Sequence, residues 1–215
     1  MLKQPEIIYE DQDILLCRKP AGVATQTKRL GQQDMESLLK NYRGKKGEPS
    51  YIGVVHRLDQ PVEGLMVFGK NQKATAELSR QVRERIIGKY YYAQSKYIPA
   101  KNEGVLEDYL LTDKKTNFTQ VVDASCKDAK KAKLEYKVLR EEEGRVLFDI
   151  KLHTGRQHQI RVQMAYMGCP LIGDSKYGEA QSKEKLALCS YRLDFLHPTT
   201  KRKMHFAIDI EKWDV

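Results

Sequence analysis

The chain has 215 residues, enough for one large domain or two small ones and for a sizeable hydrophobic core. Hydrophobic residues make up 40% and charged residues 31%, and no apolar run approaches bilayer length, so a membrane protein is not expected. Lys and Arg number 38 against 29 Asp and Glu, and the net charge of +9 favours a polyanionic partner. The first residues lack the apolar stretch of a signal peptide, so the expected location is the cytoplasm.

The four cysteines are too far apart in sequence to form a CxxC pair: Cys17, Cys126, Cys169 and Cys189. A zinc knuckle is therefore not expected, because its ligands come in closely spaced pairs. Cys17 and Cys189 lie in apolar runs, which predicts that both are small core residues with free thiols.

The first half of the chain alternates strand patterns with two helix patterns. Residues 6–22 predict two short strands separated by a turn at Asp11 to Asp13. A helix is predicted from about Asp34 to Tyr42. Residues 54–71 predict a strand, a turn and a second strand. Asn71 is a predicted N-cap for an amphipathic helix, and residues 89–98 have strand composition.

The second half predicts mostly strands. Weak strand patterns at residues 105–111 and 118–123 precede a predicted hairpin whose arms are residues 131–140 and 145–152. Residues 154–168 turn helical, with Gly168 as the predicted C-cap. Two more strands are predicted near the end of the chain. Strands dominate, which favours an α+β domain built on a mixed, mostly antiparallel sheet with a few flanking helices.

Three clusters contain side chains that could take part in catalysis or binding. The first is His56-Arg57-Leu58-Asp59, the second begins Lys89-Tyr90-Tyr91, and the third spans residues 153–161 with two arginines. A carboxylate, a tyrosine and arginines on a basic protein suit work on the sugar–base linkage of a nucleotide. Each cluster alone also fits a surface ion pair or an edge strand, so these residues do not by themselves choose a reaction.

Two long segments together resemble the RluA family of pseudouridine synthases. HRLDQPVEGLMVFGK is similar to the family signature HRLD-x-x-T-S-G-L-L-L-x-A-K, with Val62-Glu63 in place of the usual Thr-Ser. LHTGRQHQIRVQMAYMGCPLIGDSKYG resembles the second signature, which contains TGR-x-HQIR. The resemblance implies one pseudouridine synthase domain over 1–215, with a central active-site cleft. It also implies a stand-alone catalytic domain without the S4 domain of many relatives.

Residue roles follow from the resemblance by position. Asp59 of HRLD is the expected catalytic carboxylate, and Arg156 of TGR is the expected basic partner of the aspartate. Residues 89–93, KYYYA, are a weaker match to the family's K-x-Y-x-A, which makes Tyr91 the expected active-site tyrosine. The other expected substrate-binding or RNA-binding residues are His56, Arg57, Leu58, Ile160 and Arg161.

The implied reaction isomerises chosen uridines in ribosomal or transfer RNA to pseudouridine. It conserves atoms, so the resemblance implies no cofactor and no metal. Asp59 acts either as a nucleophile at C1′ or as a base at C2′, and the sequence leaves both routes open. Alternatives are an RNA-folding module that keeps the fold without turnover, and a glycosidic hydrolase, which normally needs two carboxylates. RNA is the expected partner, and a monomer the default state.

Overall fold

The computed structural model describes residues 6–27, 31–180, 182–209, 211 and 213. The chain divides into two compact units. Unit 1 comprises residues 1–88 and 190–214, and unit 2 comprises residues 89–189 together with residue 215. The single domain expected over 1–215 stays a prediction.

Unit 1 contains four strands and two helices from the first part of the chain and two strands from its end. They are β1 (Glu6–Glu10), β2 (Ile14–Lys19), α1 (Met35–Lys45), β3 (Gly53–Val54), β4 (Glu63–Gly69), α2 (Gln72–Arg83), most of β10 (Leu188–Leu196) and β11 (Lys203–Ala207).

Unit 2 contains the strands and the helix between them. They are nearly all of β5 (Gly88–Ser95), β6 (Glu103–Asp113), β7 (Phe118–Val122), β8 (Lys130–Glu142), β9 (Arg145–Leu152) and α3 (Gln159–Tyr166). The α+β class is confirmed, because mostly antiparallel strands dominate and three described helices accompany them.

The strands of unit 1 follow the order β1-β2-β4-β10, with β3 on β4 and β11 on β10. The pairs β1/β2, β2/β4 and β10/β11 are antiparallel. A cluster of fully buried residues, including Leu16, Val67 and Leu193, packs these strands against Leu78 of α2. Burying this apolar surface is the main stabilising contribution to the unit.

Both helices of unit 1 begin at side-chain caps. Asp34 caps α1: its Oδ1 accepts from Ser37 N at 2.8 Å, while Asp34 N donates to Ser37 Oγ at 3.0 Å. The predicted Asn71 cap of α2 is confirmed, because its side chain accepts from Ala74 N at 2.8 Å.

The strands of unit 2 follow the order β5-β9-β8-β6-β7, with antiparallel pairing throughout. The predicted β8–β9 hairpin is confirmed, with its turn at Glu142 to Arg145. Leu110, Ala132 and Val162 form a buried cluster that packs α3 against the sheet.

The helix predicted over 154–168 begins later than its composition suggested, at Gln159. Residues before it cannot continue the helix because His158 is left-handed, with φ of 52°. Gly168, the predicted C-cap, has φ of 89° and lies one residue beyond the cap at Met167.

The two cysteines predicted to be core residues, Cys17 and Cys189, are fully buried. Cys169 is also buried, and of the four cysteines only Cys126 is exposed. No helix in the described part of the chain is long and apolar enough to cross a membrane.

Replacing Gly64 with alanine should strongly destabilise the protein. Gly64 has φ of 123°, and a Cβ there would collide with backbone atoms of Ser190, which cannot move aside as a side chain can. We expect Gly64→Ala to lower the free energy of unfolding by about 3 kcal/mol in urea titrations followed by circular dichroism.

Gly44→Ala in α1 is the matched control. The nearest atom to its added Cβ is Ser50 Oγ at 3.6 Å, an ordinary contact. This variant should gain up to about 1 kcal/mol from helix propensity. Equal stability of the two variants would contradict the steric argument.

Candidate active site

The predicted catalytic segment, His56 to Asp59, lies between β3 and β4 in unit 1. Leu58 is buried, His56 and Asp59 are half-buried, and Arg57 is exposed. The backbone on either side of Asp59 is fixed. Thr25 Oγ1 donates to Leu58 O at 2.9 Å and accepts from Leu58 N at 3.2 Å. These bonds hold the segment in one conformation, because a buried hydroxyl satisfies both backbone groups of one residue.

His56 has a structural contact within the same unit. Its Nε2 accepts a hydrogen bond from Val67 N at 3.2 Å, which requires a neutral ring with its proton on Nδ1. This hydrogen bond therefore links the backbone of β4 to the HRLD segment. Its predicted contact with RNA stays a prediction.

Lys19, at the end of β2, is fully buried beside this segment. Its ammonium donates to three carbonyl oxygens: Val23 at 2.6 Å, and Pro20 and Gln60 at 3.1 Å each. Burial lowers the pKa of Lys19 to about 8, while the negative charges of Asp59 and Glu63 oppose that shift. Lys19 thus ties the loop after β2 to the residue that follows Asp59.

Glu63, which stands where the family signature has serine, makes two contacts of its own. Its Oε2 lies 3.1 Å from a terminal nitrogen of Arg18. Its Oε1 accepts from Trp213 Nε1 at 3.0 Å. Val62, in the usual threonine position, is buried. Glu63, which departs from the signature, therefore links the turn after Asp59 to Trp213.

Tyr91 lies on β5 in unit 2, opposite Ile150 of β9, and is 6% exposed. Residues two apart on a strand face the same side, so Lys89, Tyr91 and Ala93 share one face of β5. Lys89 begins that row and is only half-buried.

Arg156 lies in the turn between β9 and α3. The buried side chain of Gln159 holds this turn through hydrogen bonds. Gln159 Oε1 accepts from Thr154 Oγ1 at 2.6 Å and from Arg156 N at 3.1 Å. Arg156 Nε donates to Lys131 O at 3.0 Å. Anchoring Nε directs the guanidinium while leaving its two terminal amino groups without a partner among the described residues. Such a fork can bind an anionic oxygen.

Arg161 and Ile160 are buried in unit 2, at 6% and 5% exposure. Arg161 forms a two-bonded pair with the buried Asp174, with distances of 2.7 and 2.6 Å. This interaction occupies one edge of the guanidinium and holds the pKa of Asp174 below its usual value, against the effect of burial. Contacts of Leu58, Ile160 and Arg161 with RNA stay predictions, and their burial gives each a packing role.

Within unit 1 the structure brings Asp59 near Lys19, a residue to which the sequence pattern assigned no role. Within unit 2 it places Gln159 against the backbone of Arg156 and Asp174 against the guanidinium of Arg161. Lys19 had one detectable signal: it is a lysine at the end of the apolar strand pattern ILLCRK, directly before Pro20. Gln159 is the glutamine of HQIR in the second signature, but the resemblance assigned it no role.

Comparison with solved structures identifies the fold as that of pseudouridine synthases. The chain aligns with human RNA pseudouridylate synthase domain containing 4 at a TM-score of 0.78, with 21% identity. The alignment covers 95% of this chain and 88% of the human one. Human RNA pseudouridylate synthase domain containing 1 aligns with the same TM-score.

Comparison with the sequences of known proteins shows which family the chain belongs to. The model of the RNA pseudouridylate synthase family matches residues 13–166. An uncharacterized RNA pseudouridine synthase of Aquifex aeolicus is 35% identical, over 94% of this chain and 68% of the relative. Ribosomal large subunit pseudouridine synthase C of Rickettsia conorii is 32% identical, over 89% of this chain and 60% of the relative. The chain belongs to the RluA-type family of RNA pseudouridine synthases, isomerases that convert uridine to pseudouridine.

The buried Lys19 should make stability depend on pH in a defined window. Between about pH 8 and 10.5, Lys19 is deprotonated in the folded chain and protonated in the unfolded one, so unfolding takes up a proton. The free energy of unfolding of the wild type, measured relative to that of Lys19→Met, therefore rises with pH across the window by up to about 3 kcal/mol.

Urea titrations at several pH values measure this difference. Lys73→Met, which removes an exposed lysine of α2, is the matched control and should follow the wild type. A constant offset between wild type and Lys19→Met across the window would contradict the assignment.

The Glu63–Trp213 contact can be followed optically, because Trp213 is the one tryptophan of the chain. Glu63→Ser restores the usual residue of the signature and removes the acceptor of the indole N–H. We expect the fluorescence emission of Trp213 to shift to longer wavelength as its ring becomes hydrated. Glu103→Ser, at an exposed position, is the control, and an unshifted spectrum for Glu63→Ser would contradict the contact.

Proposed function

We propose that this protein isomerises specific uridines of ribosomal RNA to pseudouridine, with Asp59 as the catalytic carboxylate. The observation that supports the proposal most directly is the setting of Asp59. This aspartate of the HRLD signature follows a residue fixed by Thr25 and precedes one bound by buried Lys19. A carboxylate on a backbone held at both sides loses little freedom on approaching a substrate.

The reaction breaks the bond between uracil N1 and ribose C1′ and forms one between C5 and C1′. The base turns between the two events, and the hydrogen of C5 leaves as a proton while N1 gains one. Atoms and electrons therefore balance without an outside reactant. The carboxylate of Asp59 attacks C1′ or removes a proton from C2′, and both routes need it ionised.

Tyr91 and Arg156 keep the roles that their motif positions give them. The phenol ring of Tyr91 offers a stacking surface for the base and a hydroxyl that can assist loss of the C5 proton. Arg156 offers a guanidinium fork whose terminal amino groups have no partner among the described residues. His56 and Arg57 are proposed to contact the nucleotide.

The target uridine must leave the base stack before it reacts, which costs a few kcal/mol. A loop or bulge lowers that cost, so the proposed substrate is a structured RNA with an unstacked uridine. Ribosomal RNA is proposed because the Rickettsia conorii relative is named for the large ribosomal subunit. A cytoplasmic monomer is the proposed working form.

Asp59→Asn should abolish turnover, because an amide can neither attack C1′ nor accept a proton effectively. We expect pseudouridine formation to fall at least about 10³-fold, measured on ribosomal RNA from cells that lack the protein. RNA binding and the melting temperature should stay close to those of the wild type. Asp128→Asn, in an exposed turn, is the matched control and should keep full activity.

Turnover retained by Asp59→Asn would contradict the catalytic assignment. Carbodiimide mapping of pseudouridines in cells with and without the protein tests the substrate separately. A site that disappears from transfer RNA instead of ribosomal RNA would correct the substrate and leave the activity standing. The loss of no site at all would favour a non-catalytic RNA-folding module.

A further inference from the structure

Unit 2 contains one ammonium group whose setting differs from that of every partnered lysine described above. Lys89, at the start of β5, is half-buried, and desolvation lowers its pKa. Among the described residues, none accepts a hydrogen bond from its Nζ or forms an ion pair with it. A desolvated charge without a partner is costly, and groups with shifted pKa values cluster at functional sites.

Lys19 shows how this chain stabilises a buried ammonium that has a structural role. Three carbonyl oxygens accept its hydrogen bonds, and two carboxylates oppose the effect of burial. Lys89 has neither kind of compensation. The contrast indicates that the partner of Lys89 comes from outside the protein.

The position of Lys89 points to the substrate. It shares a face of β5 with Tyr91, two residues further along the strand. Among the described residues, its Nζ is the nearest atom to a Cβ added at Gly155, at 3.3 Å. Gly155 directly precedes Arg156, whose terminal amino groups also have no partner among the described residues. The ammonium thus overlies the glycine of the TGR turn, where the absence of a side chain leaves it room.

We propose that Lys89 binds a phosphodiester group of the RNA strand, beside the nucleotide that contacts Tyr91. The inference rests on the proposed function for the identity of its ligand. A phosphodiester is the anion that RNA supplies at every nucleotide, and a lysine ammonium suits it as a compact point charge. Arg156, next to Gly155, adds a second positive charge near the same turn.

Two variants and one control separate this role from a structural one. Lys89→Met removes the charge and keeps an unbranched side chain, while Lys89→Arg keeps the charge. Lys151→Met removes an equal charge from the exposed lysine opposite Tyr90, on the other face of the same strand pair. The probe is a fluorescently labelled oligouridylate, with binding measured by anisotropy over a range of NaCl concentrations.

We expect Lys89→Met to weaken binding about tenfold at low salt and to reduce the slope of log Kd against log salt by about 0.7, the loss of one single-strand phosphate contact. Lys89→Arg should stay within about threefold of the wild type, and Lys151→Met within about twofold. The melting temperature of Lys89→Met should be unchanged or higher, because a partly desolvated charge without a protein partner has been removed.

Three results would overturn the proposal. They are wild-type affinity and salt slope in Lys89→Met, a marked fall in its melting temperature, and displacement of the oligonucleotide by millimolar inorganic phosphate at matched ionic strength. The last result would mean a site for free phosphate. Failure of the proposed function looks different: the wild type would form no pseudouridine in ribosomal or transfer RNA, while Lys89→Met still lost oligouridylate binding.

Discussion

The hydrogen bonds of one buried ammonium hold the loop that carries Asp59 in place. Removing a lysine head group from water is strongly unfavourable, and only good acceptors or opposite charges can offset that cost. Lys19 obtains both, from the carbonyl groups around it and from the negative charges of Asp59 and Glu63. Because one acceptor belongs to Gln60, the interaction that makes burial tolerable also fixes the backbone next to Asp59.

Unit 2 holds the turn that carries Arg156 with a chain of glutamine hydrogen bonds that ends on a carboxylate. Gln159 bonds Thr154 and the backbone of Arg156, and it donates to Gln163 at 2.9 Å. Gln163 donates in turn to Asp108 on β6 at 2.6 Å. A buried chain of amides in which each member has partners is rigid, and it orients the arginine without competing for its charge.

The sequence predicted the elements well where their signals are local. Asp34 and Asn71 cap helices through their own side chains, and apolar alternation marks the β8–β9 hairpin. The predicted start of α3 was wrong, because the side chain of Gln159 and a left-handed histidine set the backbone of residues 154–158. The family signature supplied Asp59, Tyr91 and Arg156. The partners of Lys19 could not be predicted, because they meet it only after the strands pair.

Of the four thiols of this protein, one is accessible to a chemical label. Burial raises the pKa of Cys17 to about 12 and raises that of Cys169, so neither forms a nucleophilic thiolate near neutral pH. Cys189 is fully enclosed. Cys126 alone is open to solvent, in the turn between β7 and β8. A maleimide dye or spin label would therefore react at a single place on the unmodified chain, and no engineered cysteine is needed to follow its encounters with RNA.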